Sequence, residues 1–174
     1  MPELNIAIDA MGGDNGPSIV IEALEKAVHQ YPDVKFTVVG HQHKLTPLLE
    51  KHHLNSHPAV KLIHAEQIIE MDDKPGHSLR SKPESSMRIA LNTLTEGDCQ
   101  AMVSGGNTGA LMTNAYFTLK TLPGVLRPAL MTALPNQTGG KSYLLDLGAN
   151  ASCDSETLFQ FGVMGAVAAE YLSG

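Results

Sequence analysis

Three short stretches of the sequence combine glycine with aspartate, asparagine and serine. They are Asp9-Ala10-Met11-Gly12-Gly13-Asp14-Asn15-Gly16-Pro17, Ser104-Gly105-Gly106-Asn107-Thr108-Gly109, and Asp146-Leu147-Gly148-Ala149-Asn150. Glycine lets a backbone approach a ligand closely, and a helix that starts after such a turn presents free N–H groups to an anion. Any one of these stretches alone reads as a tight turn. Three in one short chain, each between a strand-like run and a helix-like run, read as ligand-binding turns.

Familiar nucleotide signatures do not fit them. A phosphate-binding P-loop needs Gly-Lys-Ser/Thr after its glycines, and no such triplet follows any of the turns. Ser104, Gly106 and Gly109 have the spacing of the dinucleotide fingerprint, with serine in place of its first glycine. That motif also needs an acidic residue about 20 positions on for a ribose hydroxyl. No Asp or Glu lies between Asp98 and Asp146, so the dinucleotide reading fails. The chain has eight histidines, five of them between His41 and His57. Without cysteine or converging carboxylates they read as solvated surface residues, and no metal site is expected. Cys153 precedes a helix, where a thiolate would be stabilised, but no base is local to it, and it reads as structural.

The elements that must position these turns follow from periodicity. Leu4–Ile8 is a short apolar run ending at Asp9, as a buried parallel strand does. Pro17 stands at a first helical position, Val20, Ala23, Leu24, Ala27, Val28 and Tyr31 recur at helical spacing, and Pro32 ends the helix. Further strands are expected at Lys35–Gly40, Val60–His64 and Ala101–Val103, and a short helix at Leu45–His52. Met87, Ala90, Leu91 and Leu94 mark a helix stopped by Gly97, and Thr108 to Leu119 form another. The stretch 65–83 lacks periodicity and reads as a long surface loop of the kind that carries function. Ala129–Leu134 and Ser142–Leu147 read as strands joined by the hairpin loop PNQTGGK. The last helix, Leu158–Leu172, is apolar on nearly every face, which predicts burial here or against another domain.

At 174 residues the chain predicts about one domain, with a genuine core. Charged residues make up only 17%, against about 25% usually, so part of the surface is expected to lie under a partner chain or further sequence. A net charge of −6 argues against a general nucleic-acid surface. The longest uncharged run, Cys99 to Leu119, holds three glycines and several polar residues and does not read as a membrane span. Residues 1–9 have no basic region of a secretion signal, and with only two cysteines a cytoplasmic protein with reduced thiols is expected.

The motifs AMGGDNGP, SSMRIAL, SGGNTGALM, LPGVLRPAL and DLGAN occur in the order seen in bacterial phosphate acyltransferases of phospholipid synthesis, which the chain resembles along essentially its whole length. One departure is Gly105, where that family usually has alanine. The resemblance implies a three-layer α/β/α fold with a mostly parallel sheet, similar to phosphotransacetylases and isocitrate/isopropylmalate dehydrogenases. Members of the family continue well past the position of Gly174, so residues 1–174 are expected to be one α/β unit, the N-terminal half of a longer enzyme, incomplete at the C-terminus. The implied reaction converts fatty acyl-acyl carrier protein and inorganic phosphate into acyl phosphate without a cofactor. The implied partners are acylated acyl carrier protein, phosphate and a second copy of the chain, with peripheral association at the inner membrane face.

Such a reaction needs two reactants held together and donors aimed at developing charge. Ser104, Asn107 and Arg80 are the candidates for the catalytic role. Gly12, Gly13, Asp14, Gly105, Thr108, Lys82, Arg127 and Asn150 form the candidate phosphate-binding set. Within it the backbone N–H groups and the cations face phosphate, while Asp14 and Asn150, with Asp9 and Asp146, hold the loops. A short-chain acyl- or acetyl-CoA:phosphate transferase of the same fold, and a non-catalytic ligand-binding or dimerising half-domain, are the alternative readings.

Overall fold

The computed structural model describes residues 4–150 and 152–173. The chain divides into two compact units, Met1–Leu119 and Lys120–Gly174. The first contains β1 (Leu4–Asp9), α1 (Gly16–Gln30), β2 (Val34–Gly40), α2 (Gln42–Lys51), β3 (Val60–His64), α3 (Pro75–Ser81), α4 (Ser86–Thr95), β4 (Ala101–Ser104) and α5 (Thr108–Leu119). Its strands form one parallel sheet in the order β3-β2-β1-β4.

Alternation along the strands decides what covers each face. Ile6, Ile8, Phe36, Val38 and Leu62 pack with Ile21 and Leu24 of α1 and with Leu45 and Leu49 of α2. Ala7, Val39, Ile63 and Met102 face the other way and pack with Ile89, Ala90 and Leu94 of α4. Burial of each large aliphatic side chain contributes about 1.5–3 kcal/mol, and both faces are covered in this way except at β4, where Val103 stays exposed. The result is the expected α/β/α layering. Strand order runs outward from β1 to β3 and then returns to β4 on the other side of β1. The C-terminal ends of β1 and β4 therefore flank the point where the order reverses, the place where parallel α/β sheets bind ligands. Asp9 and Ser104 are register partners at those ends.

The structure corrects the reading of residues 65–83 as a loop. Pro75–Ser81 is helical, with Pro75 in the first turn and Ser78 fully buried, its hydroxyl donating to the Pro75 carbonyl at 2.9 Å. Seven residues span two turns, too few for an apolar repeat to show. The preceding stretch is also tied down, because Gln67 bridges in parallel to Ser85 just before α4.

The second unit contains β5 (Met131–Pro135), β6 (Lys141–Leu145) and α6 (Ser155–Ser173). β5 and β6 form the expected antiparallel hairpin. Asn136 organises its tip, since Oδ1 accepts from the N–H of Thr138 and of Gly140 at 3.1 and 2.8 Å. α6 begins earlier than its apolar stripe because Asp154 caps it, Oδ1 accepting from the Thr157 N–H at 2.8 Å. That bond holds the Asp154 carboxyl below its ordinary range. Among the described residues the burial of this helix is partial. Phe161 is buried, but Phe159 is 71% exposed and Val167 61%. Among the described residues no helix is long and apolar enough to cross a membrane.

Candidate active site

Asp9 ends β1 with its side chain almost wholly buried. Its Oδ1 accepts from the Ser86 hydroxyl at 2.6 Å and from the Met11 N–H at 3.3 Å. Its Oδ2 accepts from the Ser104 hydroxyl at 2.7 Å. Ser104 Oγ in turn accepts from the Gly106 N–H at 3.1 Å. One carboxylate thus joins the end of β1, the start of α4 and the end of β4.

The two glycine-rich turns above this network lie in direct contact. A Cβ on Gly12 would stand 2.8 Å from both N and Cα of Gly106, and 2.9 Å from Asp9 Oδ2. Gly13 has φ +100, and a Cβ there would stand 3.2 Å from the Gly105 carbonyl oxygen. These glycines are needed for approach and for a left-handed backbone. Among the described residues, no protein acceptor pairs with the N–H groups of Gly12, Gly13, Gly105, Thr108 or Gly109. α1 and α5 start from these turns, so the positive ends of two helix dipoles add to those donors.

Asn107 joins a further segment to the second turn. Its amide nitrogen donates to the carbonyls of Glu70, Met71 and Asp73 at 3.3, 3.0 and 2.9 Å. Its Oδ1 accepts from the Ala110 N–H at 2.9 Å, capping α5. Two amide hydrogens thus serve three acceptors, one of them shared. Gly109 completes the junction, since a Cβ there would meet Pro75 Cγ at 2.9 Å. α3 is therefore packed against the start of α5. Lys82, just after α3, donates to Asp73 at 2.5 Å. That bond, followed by one from the Glu70 N–H, holds the Asp73 carboxyl below its ordinary value.

The structure brings together Gly12, Gly13, Ser104, Gly105, Asn107 and Thr108, and Asn107 ties the Lys82 segment to them. Asp14 is exposed in the first turn. Arg80 is exposed on α3 with no side-chain partner among the described residues. Ser104 and Asn107 have their polar atoms engaged with the protein. Arg127 and Asn150 belong to the second unit, where Arg127 donates to the Ser152 carbonyl at 3.4 Å. Asn150 donates its backbone N–H to Asp146 at 3.0 Å and its amide to the Pro128 carbonyl at 3.1 Å. A cavity of about 570 Å³ in that unit is lined by Tyr143, Asp146, Asn150 and Cys153 together with apolar residues of α6. The sequence reading missed Ser86, whose only signal was its place at the start of the SSMRIAL helix. Among the described residues no group of three or more His, Cys, Asp or Glu is arranged to hold a metal ion.

The first unit is thus a parallel α/β layer with two glycine turns apposed at its switch point. Comparison with known sequences assigns it more closely. The family described as "Fatty acid synthesis protein" matches residues 4–174, and the chain belongs to that family. A phosphate acyltransferase of Idiomarina loihiensis is 89% identical over all 174 residues of the chain, which cover 51% of that protein. One from Aeromonas salmonicida is 50% identical over 174 residues, covering 51% of its length. One from Legionella pneumophila is 52% identical over 165 residues, or 95% of this chain and 48% of that protein. The chain spans about half the length of the curated relatives it matches.

Proposed function

We propose that residues 1–174 form the N-terminal part of an enzyme that transfers a fatty acyl group from acyl carrier protein to inorganic phosphate, giving acyl phosphate for phospholipid synthesis. The observation that carries this reading is the apposition of the two glycine turns at the switch point, with their unpaired N–H groups. The naming of the relatives as phosphate acyltransferases supports it. In the reaction a phosphate oxygen attacks the thioester carbonyl and a tetrahedral oxyanion forms. The C–S bond then breaks, and the proton of hydrogen phosphate passes to the departing thiolate. Thiolate is a good leaving group and phosphate is already anionic, so positioning and charge stabilisation suffice. Gly12, Gly13, Gly105 and Thr108 offer backbone donors, and Arg80 offers an exposed cation on α3, the helix whose Pro75 packs on Gly109. Ser104 and Asn107 shape the turns.

The reading places the enzyme in the cytoplasm, as a homodimer that meets the membrane peripherally and draws on acylated carrier protein. Its test is turnover by the full-length protein with palmitoyl-acyl carrier protein and with acetyl-CoA, each with phosphate. Formation of acyl phosphate from the carrier-protein substrate in preference to acetyl-CoA is expected. Preference for acetyl-CoA would replace it with a short-chain transferase.

A further inference from the structure

Asp9 is the only carboxylate buried to within 2% exposure among the described residues, and none of their cations forms an ion pair with it. A buried charge without a cation must be held by hydrogen-bond donors. Those donors are Ser86, Ser104 and the Met11 N–H. Ionised carboxylates only accept, so the Ser104 hydroxyl proton must point at Asp9. The lone pairs of Ser104 are thereby turned toward the Gly106 N–H, whose backbone touches Gly12. The position of one proton on Ser104 thus sets how the second turn meets the first.

We infer that Asp9 is a positioning residue for phosphate: it acts through Ser104 to hold the two turns in the arrangement that receives the anion. This inference rests on the acyl-transfer reading above and adds to it a residue that does not touch substrate. Asp9→Asn keeps the volume but exchanges an acceptor for a donor. Because Oδ1 accepts a backbone N–H that cannot reverse, the new amide nitrogen must face Ser104, and the serine hydroxyl must rotate away.

The experiment is steady-state kinetics of the full-length protein with Asp9→Asn, Ser104→Ala, Ser104→Thr and the Asp9/Ser104 double variant, alongside melting temperatures. Asp9→Asn and Ser104→Ala are each expected to raise the phosphate KM about tenfold or more, with the acyl-carrier KM within about twofold of wild type. The double variant is expected to be no worse than the worse single one, because both remove the same link. Ser104→Thr, which keeps the hydroxyl, restores the phosphate KM. An unchanged phosphate KM in both single variants overturns the inference, as do effects that multiply in the double variant. If Asp9→Asn does not fold, the Ser104→Ala and Ser104→Thr pair decides in the same way. Should the wild type make no acyl phosphate, the acyl-transfer reading fails, and calorimetric titration with inorganic phosphate takes over. Weakened phosphate binding in Asp9→Asn or Ser104→Ala then supports the positioning role, and unchanged binding overturns it.

Discussion

Gly12 has no room for a side chain. Its neighbours are the backbone of Gly106 and the Asp9 carboxylate, none of which is the yielding end of a flexible side chain. Gly12→Ala must therefore separate the two turns, and a loss of about 1–3 kcal/mol is expected in urea unfolding. The sequence displays the glycines, but the need for Gly12 comes from a close approach across the sheet switch point, and such a contact leaves no trace in spacing along the chain. The same holds for Asp9 and Ser86, which are 77 residues apart in the chain and meet only because α4 packs over β1. Asp73 gives a pH signature at this scale. Its folded pKa lies below the ordinary 3.8, chiefly through Lys82, so its contribution to stability is fully present above that value. The contribution is lost as pH falls from 3.8 through the lower folded value. Wild type is expected to lose more stability than Asp73→Asn between pH 6 and about pH 3, read as the shift of the urea midpoint.

At the scale of elements, α3 is the part that periodicity could not supply. A seven-residue helix is too short to be stable alone, so its order comes from neighbours. Those neighbours are Asn107, which binds three carbonyls just before it, the Gly109–Pro75 contact, and the Lys82–Asp73 bond after it. Asn107→Ala leaves those carbonyls without that donor and removes the cap of α5. Each buried group left unpaired costs about 1–3 kcal/mol. Amide exchange in residues 70–82 is expected to accelerate in this variant, while that of β1 and β2 changes little. Equal acceleration throughout would show general destabilisation instead. The longer elements were legible because their apolar residues repeat: β1, β2, α1 and α5 stand where alternation and helical spacing place them. The hairpin was legible from its turn residues. Only its strand ends differ, each by a residue or two, because ladder pairing rather than hydrophobicity ends a strand.

For the whole molecule, the sheet of the first unit, covered except at Val103 of β4, contrasts with the exposed apolar faces of α5 and α6. Phe117 is 57% exposed and Phe159 71%. Low charge content and a helix apolar on all sides signalled this surface in the sequence, and the signal could not say what covers it. The proposed activity is that of the full-length protein, since the curated relatives carry about twice this length. What the first unit contributes to it, on this account, is the phosphate site at the β1 and β4 turns. The most direct test is acyl phosphate formation from palmitoyl-acyl carrier protein as a function of phosphate concentration, in wild type and in Gly13→Ala. Gly13 is chosen because its φ of +100 strains any side chain and its Cβ would press on Gly105. Wild type is expected to release carrier thiol only with phosphate, one acyl phosphate per thiol, and the variant to show a phosphate KM raised about tenfold. Thiol release that is independent of phosphate, or a Gly13→Ala protein with the wild-type phosphate KM, would contradict the account.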